Sequence, residues 1–199
     1  MANTIQIKPE TLLSIGVKQP KSVAFAASFN KMFVKYGITT KEEAAALIAT
    51  AQIETSFVNL IENMNYTSPE RLCQVYKSYF TTVEQAKLYT NNPKKLADFV
   101  YASRGGYAFI GRGLVQLTGR ANYESFKRGT GIDVIANPDL LCNDPDVATE
   151  ALFWFFKSNN LLTKAKAKDW QGVRRGVNGQ ACLGYSEFLV CVNKLLEVI

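Results

Sequence analysis

The stretch Gly111-Arg112-Gly113-Leu114-Val115-Gln116-Leu117-Thr118-Gly119-Arg120-Ala121-Asn122-Tyr123 decides how the rest of this chain is interpreted. It places a Gly-Arg-Gly triplet directly before a run in which polar and apolar residues alternate. Alternation with a period of two predicts a short strand or hairpin from Tyr107 to Thr118, with Gln116 and Thr118 on one side. Asn122 then falls in the first turn of a following helix.

Helical periodicity dominates on either side of this stretch. We expect a helix from about Lys21 to Lys35 and a second one that begins after Thr40, where Thr40 and Glu43 have capping-box spacing. The apolar stripe of the second helix continues to Glu54, so a carboxylate ends on its apolar face. Further helices are predicted over Pro69–Phe80, Val83–Tyr89, Pro93–Ala102, from Asp144-Pro145 to Lys157, and around Phe188 to Leu196.

Composition indicates one globular domain over residues 1–199, with 1–20 as an N-terminal lead and 21–199 as the main part. Of the 199 residues, 47% are apolar and 20% charged, which suits a chain that buries a substantial core. No basic patch precedes an apolar core at the start of the chain, so we expect no signal peptide and synthesis in the cytoplasm.

The absence of histidine limits the chemistry. Ser-His-Asp and Cys-His nucleophile arrangements are excluded, as are zinc sites built on histidine. An enzyme of this composition must take its acid and base from carboxylates, Lys, Tyr or Cys, and carboxylates are the first candidates. The four cysteines are expected to be reduced thiols, although a Cys182–Cys191 bridge stays open.

The net charge of +6 favours polyanionic partners, such as nucleic acid, anionic cell-wall polymers or an acidic membrane surface. A solvated basic surface is an equally good explanation of any one cluster. The basic clusters are Lys94-Lys95, the lysines at 164, 166 and 168, and Arg174-Arg175.

Glu54 and Glu62 form a candidate carboxylate pair. Glycoside hydrolysis needs one protonated carboxyl group and one ionised one, and a Glu at the end of an apolar helical stripe suits the acid. Glu62 lies in a polar, Asn-rich stretch where a carboxylate stays ionised and can hold a water molecule. The alternative is that Glu54 pairs with a buried arginine such as Arg112, and that Glu62 is a surface charge.

In motif order the chain resembles glycoside hydrolase family 19, and within it the bacteriophage endolysin branch more than the plant chitinases. The resemblance extends from about Ala24 to the C-terminus. It rests on Ala51-Gln52-Ile53-Glu54-Thr55-Ser56-Phe57, Glu62-Asn63-Met64-Asn65-Tyr66, Val100-Tyr101-Ala102-Ser103-Arg104, the Gly111–Tyr123 stretch, Ala136-Asn137-Pro138-Asp139-Leu140-Leu141 and Val177-Asn178-Gly179.

This resemblance implies a mainly α, lysozyme-like or chitinase-type two-lobed domain with a short β-hairpin at the cleft. It also implies hydrolysis of β-1,4 bonds with inversion, without a metal or cofactor. By position, Glu54 matches the general acid and Glu62 the general base, and Thr118 matches the hydroxyl residue that helps to hold the water. The remaining matches are Gln116, Asn122 and Asn178 as sugar contacts, Tyr66 and Tyr123 as stacking residues, and Arg112 as structural support.

The sequence departs from the family pattern at several points. Ile53 stands where the family commonly has His, and Thr55-Ser56 replaces the glycines that often follow the acid. The segment from Arg104 to Gly111 lacks a Gly/Asp-rich insertion, which shortens one cleft wall. The acidic–Arg pair often found after Asn178-Gly179 is missing.

The leading interpretation is a phage-type endolysin, a muramidase that cuts the MurNAc–GlcNAc bond of peptidoglycan. The short wall near Gly105-Gly106 favours a roomy cleft for the lactyl-peptide, and a separate membrane pore would release the enzyme to the periplasm and cell wall. The alternatives are a chitinase and a non-catalytic module that binds polysaccharide or nucleic acid. We expect a monomer without stable membrane insertion and no nucleic-acid partner.

Overall fold

The computed structural model describes residues 5–199, and these fold mainly into α-helices, which confirms the predicted fold class. Two short 3-10 helices cover Ala102–Arg104 and Gly106–Phe109. The α-helices are α1 (Pro9–Ser14), α2 (Lys21–Tyr36), α3 (Lys41–Thr55), α4 (Pro69–Val75), α5 (Val83–Lys87), α6 (Pro93–Val100), α7 (Arg120–Thr130), α8 (Leu140–Asn143), α9 (Pro145–Ser158), α10 (Leu161–Lys166), α11 (Trp170–Asn178) and α12 (Tyr185–Val198).

The chain divides into two compact units, each built from separate stretches of sequence. The first unit contains the described residues up to Leu60, residues 113–116, and Asp139–Ile199. The second contains Ile61–Arg112 and Leu117–Pro138. No helix within residues 5–199 is both long and apolar enough to cross a membrane.

Helix α3 is the centre of the first unit. It packs against α9, α10, α11 and α12, and the side chains from Ala44 to Ala49 are all fully buried. The predicted apolar stripe is buried, and the residues outside the stripe in this part of the helix are buried as well because neighbouring helices surround it. Phe57, two residues after α3, is also fully buried and meets Phe25 edge to face at 5.1 Å between ring centroids. This contact fixes the segment that follows Glu54.

The predicted capping box begins α3 and is confirmed. The Glu43 amide donates to Thr40 Oγ1 at 3.3 Å, and the Thr40 amide donates to Glu43 Oε2 at 3.2 Å. Two N–H groups that lack helical partners are satisfied in this way.

The second unit has its own small core around α4, α5 and α6. Its helices end earlier than the sequence predicts: α4 at Val75 and α6 at Val100. Phe80 lies beyond the end of α4 and is nevertheless buried, so its apolar character reflects packing and not a longer helix. The buried members of this core are Met64, Leu72, Phe80, Ala86, Leu96, Ala97, Val100 and Ile110.

The predicted hairpin is reduced to one residue pair. Arg112 and Leu117 exchange both backbone hydrogen bonds, at 3.1 and 2.8 Å, and Arg112 also forms a bridge with Ile61. A longer strand from Tyr107 does not form because Gly106–Phe109 is a 3-10 helix. Gln116 has a φ of 51°, so it lies in a turn and does not share a strand face with Thr118, contrary to the prediction.

Candidate active site

Glu54 lies in the last turn of α3, and its carboxylate Oε1 accepts a hydrogen bond from Nη1 of Arg174 on α11. The Glu54 side chain is 16% exposed and that of Arg174 only 3%. Carbonyl dipoles at the C-terminal end of a helix disfavour a negative charge, and the guanidinium offsets this. Arg174 is therefore the buried arginine that pairs with Glu54.

Arg174 also fixes the loop after α11. Its Nε donates to the carbonyl oxygen of Leu183 at 2.7 Å, and the Leu183 amide donates to Oδ1 of Asn178 at 3.2 Å. Asn178 is the last residue of α11, so one connected set of hydrogen bonds links Glu54 to this predicted sugar contact. The acidic–Arg pair expected after Asn178 is missing, and a guanidinium from the preceding helix reaches Glu54.

Glu62 is held by its own backbone and by two neutral donors. Its amide donates to the carbonyl of Gly111 at 2.8 Å, and its Oε2 accepts from the Gly111 amide at 3.0 Å. Its Oε1 accepts from the Tyr101 hydroxyl at 2.7 Å. A carboxylate has about four acceptor positions, so two occupied positions leave room for a water molecule.

Tyr101 remains a proton donor to Glu62 over a wide pH range. Burial of the phenol raises its pKa, and the hydrogen bond to Glu62 raises it further. The Arg104 guanidinium lies 5.8 Å from the centre of the Tyr101 ring. Within the second unit, Tyr101 thus contacts both Glu62 and Arg104.

Thr118 and Asn122 line a cavity of about 490 Å³ in the second unit. The side-chain amide of Asn122 donates to the Thr118 carbonyl at 2.8 Å, and Asn122 is exposed at the beginning of α7. The cavity is lined by Ser103, Arg104, Gly105, Thr118, Gly119, Arg120, Ala121 and Asn122.

Gln116 belongs to the first unit. Its Nε2 donates to the carbonyl of Gly113 at 3.0 Å and to that of Asn59 at 3.3 Å. These two contacts hold the turn at 113–116 against the segment after α3. A larger cavity of about 700 Å³ in this unit touches Gln52 and Ile53, and its lining contains none of the predicted site residues.

Tyr123 is a core residue, and the prediction that it stacks on a sugar is wrong. Its side chain is fully buried, its hydroxyl donates to the Ile110 carbonyl at 2.8 Å, and its ring meets Phe109 edge to face. Arg112 is 3% exposed, and its Nη1 donates to the Ala108 carbonyl at 3.0 Å and contacts the Tyr123 hydroxyl. Both side chains support the backbone that carries Gly111.

Tyr66, the other predicted stacking residue, is half-buried in the second unit. Its ring lies edge to face against Tyr76, with 5.8 Å between the centroids. The Tyr66 ring is thus held by a neighbouring ring.

Sequence reasoning missed the roles of Arg174 and Tyr101, although helical spacing carried a signal for both. Arg174 follows Val173 and lies four residues after Trp170, on the apolar side of α11. Tyr101 follows Val100 and lies four residues after Ala97, at the end of the apolar side of α6. A polar side chain on the apolar face of a helix is buried and therefore needs a hydrogen-bond partner.

Some known proteins match most of this chain, and others match only a short part of it. The class I chitinase model of glycoside hydrolase family 19 matches residues 22–171. A glycosyl hydrolase family 19 domain-containing protein of Haemophilus influenzae is 30% identical over 155 residues, which are 73% of this chain and 74% of that protein. Endochitinase 1 of Theobroma cacao is 41% identical over 56 residues, 28% of this chain and 17% of the plant protein. Endochitinase 2 of Gossypium hirsutum is 39% identical over a stretch of the same length.

The family model and the bacterial relative each extend over about three quarters of this chain, whereas the plant matches are confined to about a quarter of it. Residues 22–171 include Glu54, Glu62, Thr118 and Asn122. The chain therefore belongs to glycoside hydrolase family 19, the class I chitinase family, and is a glycoside hydrolase.

Proposed function

We propose that this glycoside hydrolase is a phage-type endolysin that cleaves the β-1,4 bond between MurNAc and GlcNAc in peptidoglycan with inversion. The observation that supports the catalytic part is that defined hydrogen-bond donors hold each of the two glutamates in place. Glu54 contacts one guanidinium at a helix end, and Glu62 accepts hydrogen bonds from two neutral donors.

In this proposal Glu54 is the general acid. It gives its proton to the glycosidic oxygen of the leaving sugar. Arg174 donates to either the carboxylate or the carbonyl oxygen of the protonated acid, so it keeps Glu54 in one orientation through the proton cycle.

Glu62 is the general base. Tyr101 and the Gly111 amide fix its two oxygens, and a remaining acceptor position takes a proton from the attacking water. Thr118 helps to orient that water, and Gln116, Asn122 and Asn178 contact the sugars. The water attacks the face opposite the leaving oxygen, so the anomeric configuration inverts.

Peptidoglycan is the proposed polymer because the chain is cationic and the bacterial cell wall is anionic. A net charge of +6 attracts such a surface over a distance. Hydrolysis of chitin is the second candidate, since the plant relatives that match part of the chain are named endochitinases.

The test is loss of turbidity in outer-membrane-stripped Gram-negative cells, with mass spectrometry and NMR of the released fragments. We expect lysis by the wild type, none by Glu54→Gln or Glu62→Gln, and normal lysis by Glu197→Gln, whose carboxylate is exposed. New reducing ends on MurNAc in the α configuration support the proposal. Reducing ends on GlcNAc, or cleavage of chitin oligomers alone, would replace it with another specificity.

A further inference from the structure

We infer that the cavity beside Thr118 and Asn122 is a subsite that binds the carboxylate of the anionic substituent on the MurNAc unit. This inference rests on the proposed peptidoglycan substrate. The anionic substituent is what distinguishes that substrate from chitin. Chitin is an uncharged polymer, whereas MurNAc carries a lactyl group that ends in a carboxylate or in a stem peptide with carboxylates of its own.

The first argument is the charge of the cavity lining. Arg104 and Arg120 both line the cavity, and no carboxylate is among its lining residues. Arg104 is exposed and forms no ion pair with any carboxylate of residues 5–199. Arg120 uses only its Nε, which donates to Glu124 at 2.9 Å, so its two Nη groups remain available to a ligand. Two guanidinium groups facing one cavity attract an anion and can bind a carboxylate through two hydrogen bonds each.

The second argument is that both guanidinium groups are held in place by aromatic rings. The Arg104 Cζ lies 5.8 Å from the centre of the Tyr101 ring, and the Arg120 Cζ lies 5.6 Å from that of Phe109. Stacking of this kind reduces the conformational entropy that the long side chains lose on binding a ligand.

The third argument is the backbone that brings the two arginines together. A Cβ atom at Gly105 would lie 2.5 Å from Phe109 and 3.1 Å from the Cβ of Arg120. Gly105 also has a φ of 96°, a conformation that side chains other than glycine rarely adopt. Only glycine therefore permits this approach of the segment that carries Arg104 to the one that carries Arg120.

The fourth argument is the position of the cavity next to the proposed chemistry. Its lining includes Thr118 and Asn122, which are predicted to hold the water and a sugar. Arg104 stacks on Tyr101, and Tyr101 donates to Glu62. A single tyrosine side chain therefore connects the subsite to the general base.

The experiment is a binding titration in the Glu54→Gln background, which prevents cleavage of the probes. The probes are a peptide-free GlcNAc–MurNAc tetrasaccharide, the same tetrasaccharide with stem peptides, and chitotetraose. We expect the anionic tetrasaccharides to bind about tenfold more tightly than chitotetraose at low salt, by the strength of a charge-assisted hydrogen bond. Arg104→Gln and Arg120→Gln should each reduce this preference, and Arg128→Gln on the same helix should keep it because Arg128 lies outside the cavity.

A preference seen with the peptide-free probe assigns the subsite to the lactyl carboxylate, and one seen only with stem peptides assigns it to the peptide. Equal binding of all three probes, or a preference that survives both substitutions, would overturn the inference. Wild-type lysis of peptidoglycan combined with equal binding would reject the subsite and leave the proposed function intact. The reverse pattern, anion preference without lysis, would reject the proposed function alone.

Discussion

Arg174 connects the proposed acid to the loop that carries Asn178, and its substitution therefore changes two parts of the site at once. Arg174→Ala removes the donor to Glu54 and the donor to Leu183. We expect kcat to fall about 10–100-fold, because a small misplacement of a catalytic group has an effect of that size. Arg174→Lys should recover little activity, since an ammonium cannot reproduce both contacts.

The measurement is kcat and KM of each Arg174 variant on the substrate that the wild type cleaves. The matched control is Arg175→Ala, because Arg175 is the exposed neighbour on the same helix. A higher KM with a wild-type kcat would mean that Arg174 only supports the loop. Circular dichroism confirms that each variant is folded.

Tyr101 gives a second prediction for a single residue. Tyr101→Phe removes the hydroxyl that donates to Glu62 Oε1 and leaves the ring beneath Arg104. A hydrogen bond to a charged group contributes about 1.5–3 kcal/mol, so kcat should fall by about tenfold or more. Steady-state kinetics at neutral pH test this, with Tyr107→Phe as the control from the same unit. Equal kcat values for the two variants would show that Tyr101 does not orient the base.

At the residue scale, sequence reasoning identifies groups that lie in recognisable motifs, whatever their separation in the chain. Glu62 and Gly111 each belong to a motif of the family resemblance, and they exchange hydrogen bonds. Arg174 was placed in a basic surface cluster because its partner, Glu54, lies 120 residues away in the sequence. The resemblance in motif order predicts a sugar-stacking role for Tyr123. Motif order, however, contains no information about whether the Tyr123 side chain is buried.

Among the elements, α3 matters most because it carries Glu54 through the centre of the first unit. Its capping box allows a test of local stability. Thr40→Ala should lower the free energy of unfolding by about 1 kcal/mol, since the Glu43 amide loses its acceptor. For a chain of this length, that corresponds to a fall in Tm of about 2–4 °C.

Thermal denaturation of Thr40→Ala and of Thr39→Ala measures this contribution. Thr39 is the exposed neighbour, and its hydroxyl does not cap the helix. The two variants should therefore differ in Tm, and identical values would contradict a stabilising role of the capping box.

Element boundaries follow the sequence where a local signal defines them. The capping box at Thr40 depends on a few adjacent residues and is confirmed. Helix α2, expected to end near Lys35, ends at Tyr36 before Gly37, which has a φ of 65°. The strand predicted from Tyr107 failed because Gly105 and Gly106 both have positive φ values, which favours a tight 3-10 turn over extension. The burial of α3 on all sides depends on four other helices, so the local sequence pattern of α3 does not predict this burial.

At the scale of the whole molecule, alkaline pH should destabilise the fold. Burial, followed by neighbouring acidic or phenolic groups, raises the pKa of Tyr36, Tyr76 and Tyr101. Below about pH 10, the folded and unfolded states both keep these protons, and the stabilisation is fully present. Above that pH only the unfolded state releases them, so the free energy of unfolding falls as the pH rises.

Phenolate absorbance near 295 nm in a pH titration tests this directly. Fewer than nine tyrosines should ionise near pH 10 in the folded protein, and the remainder should ionise together with the loss of helical circular dichroism. Tyr101→Phe should reduce the delayed fraction. Ionisation of all tyrosines in a single step near pH 10, with the helices intact, would contradict the prediction.

The net charge of +6 predicts a dependence on salt that belongs to the molecule as a whole and separates the two candidate polymers. Screening shortens the reach of these charges from about 10 Å at 0.1 M salt to about 3 Å at 1 M. We expect kcat/KM on anionic peptidoglycan to fall steeply as NaCl rises, and kcat/KM on uncharged chitin oligomers to stay level. Lys166→Glu, which changes an exposed lysine, should weaken the dependence on peptidoglycan. A parallel loss on both polymers would mean that salt acts on the enzyme itself, and a level response on both would remove the electrostatic argument for a cell-wall substrate.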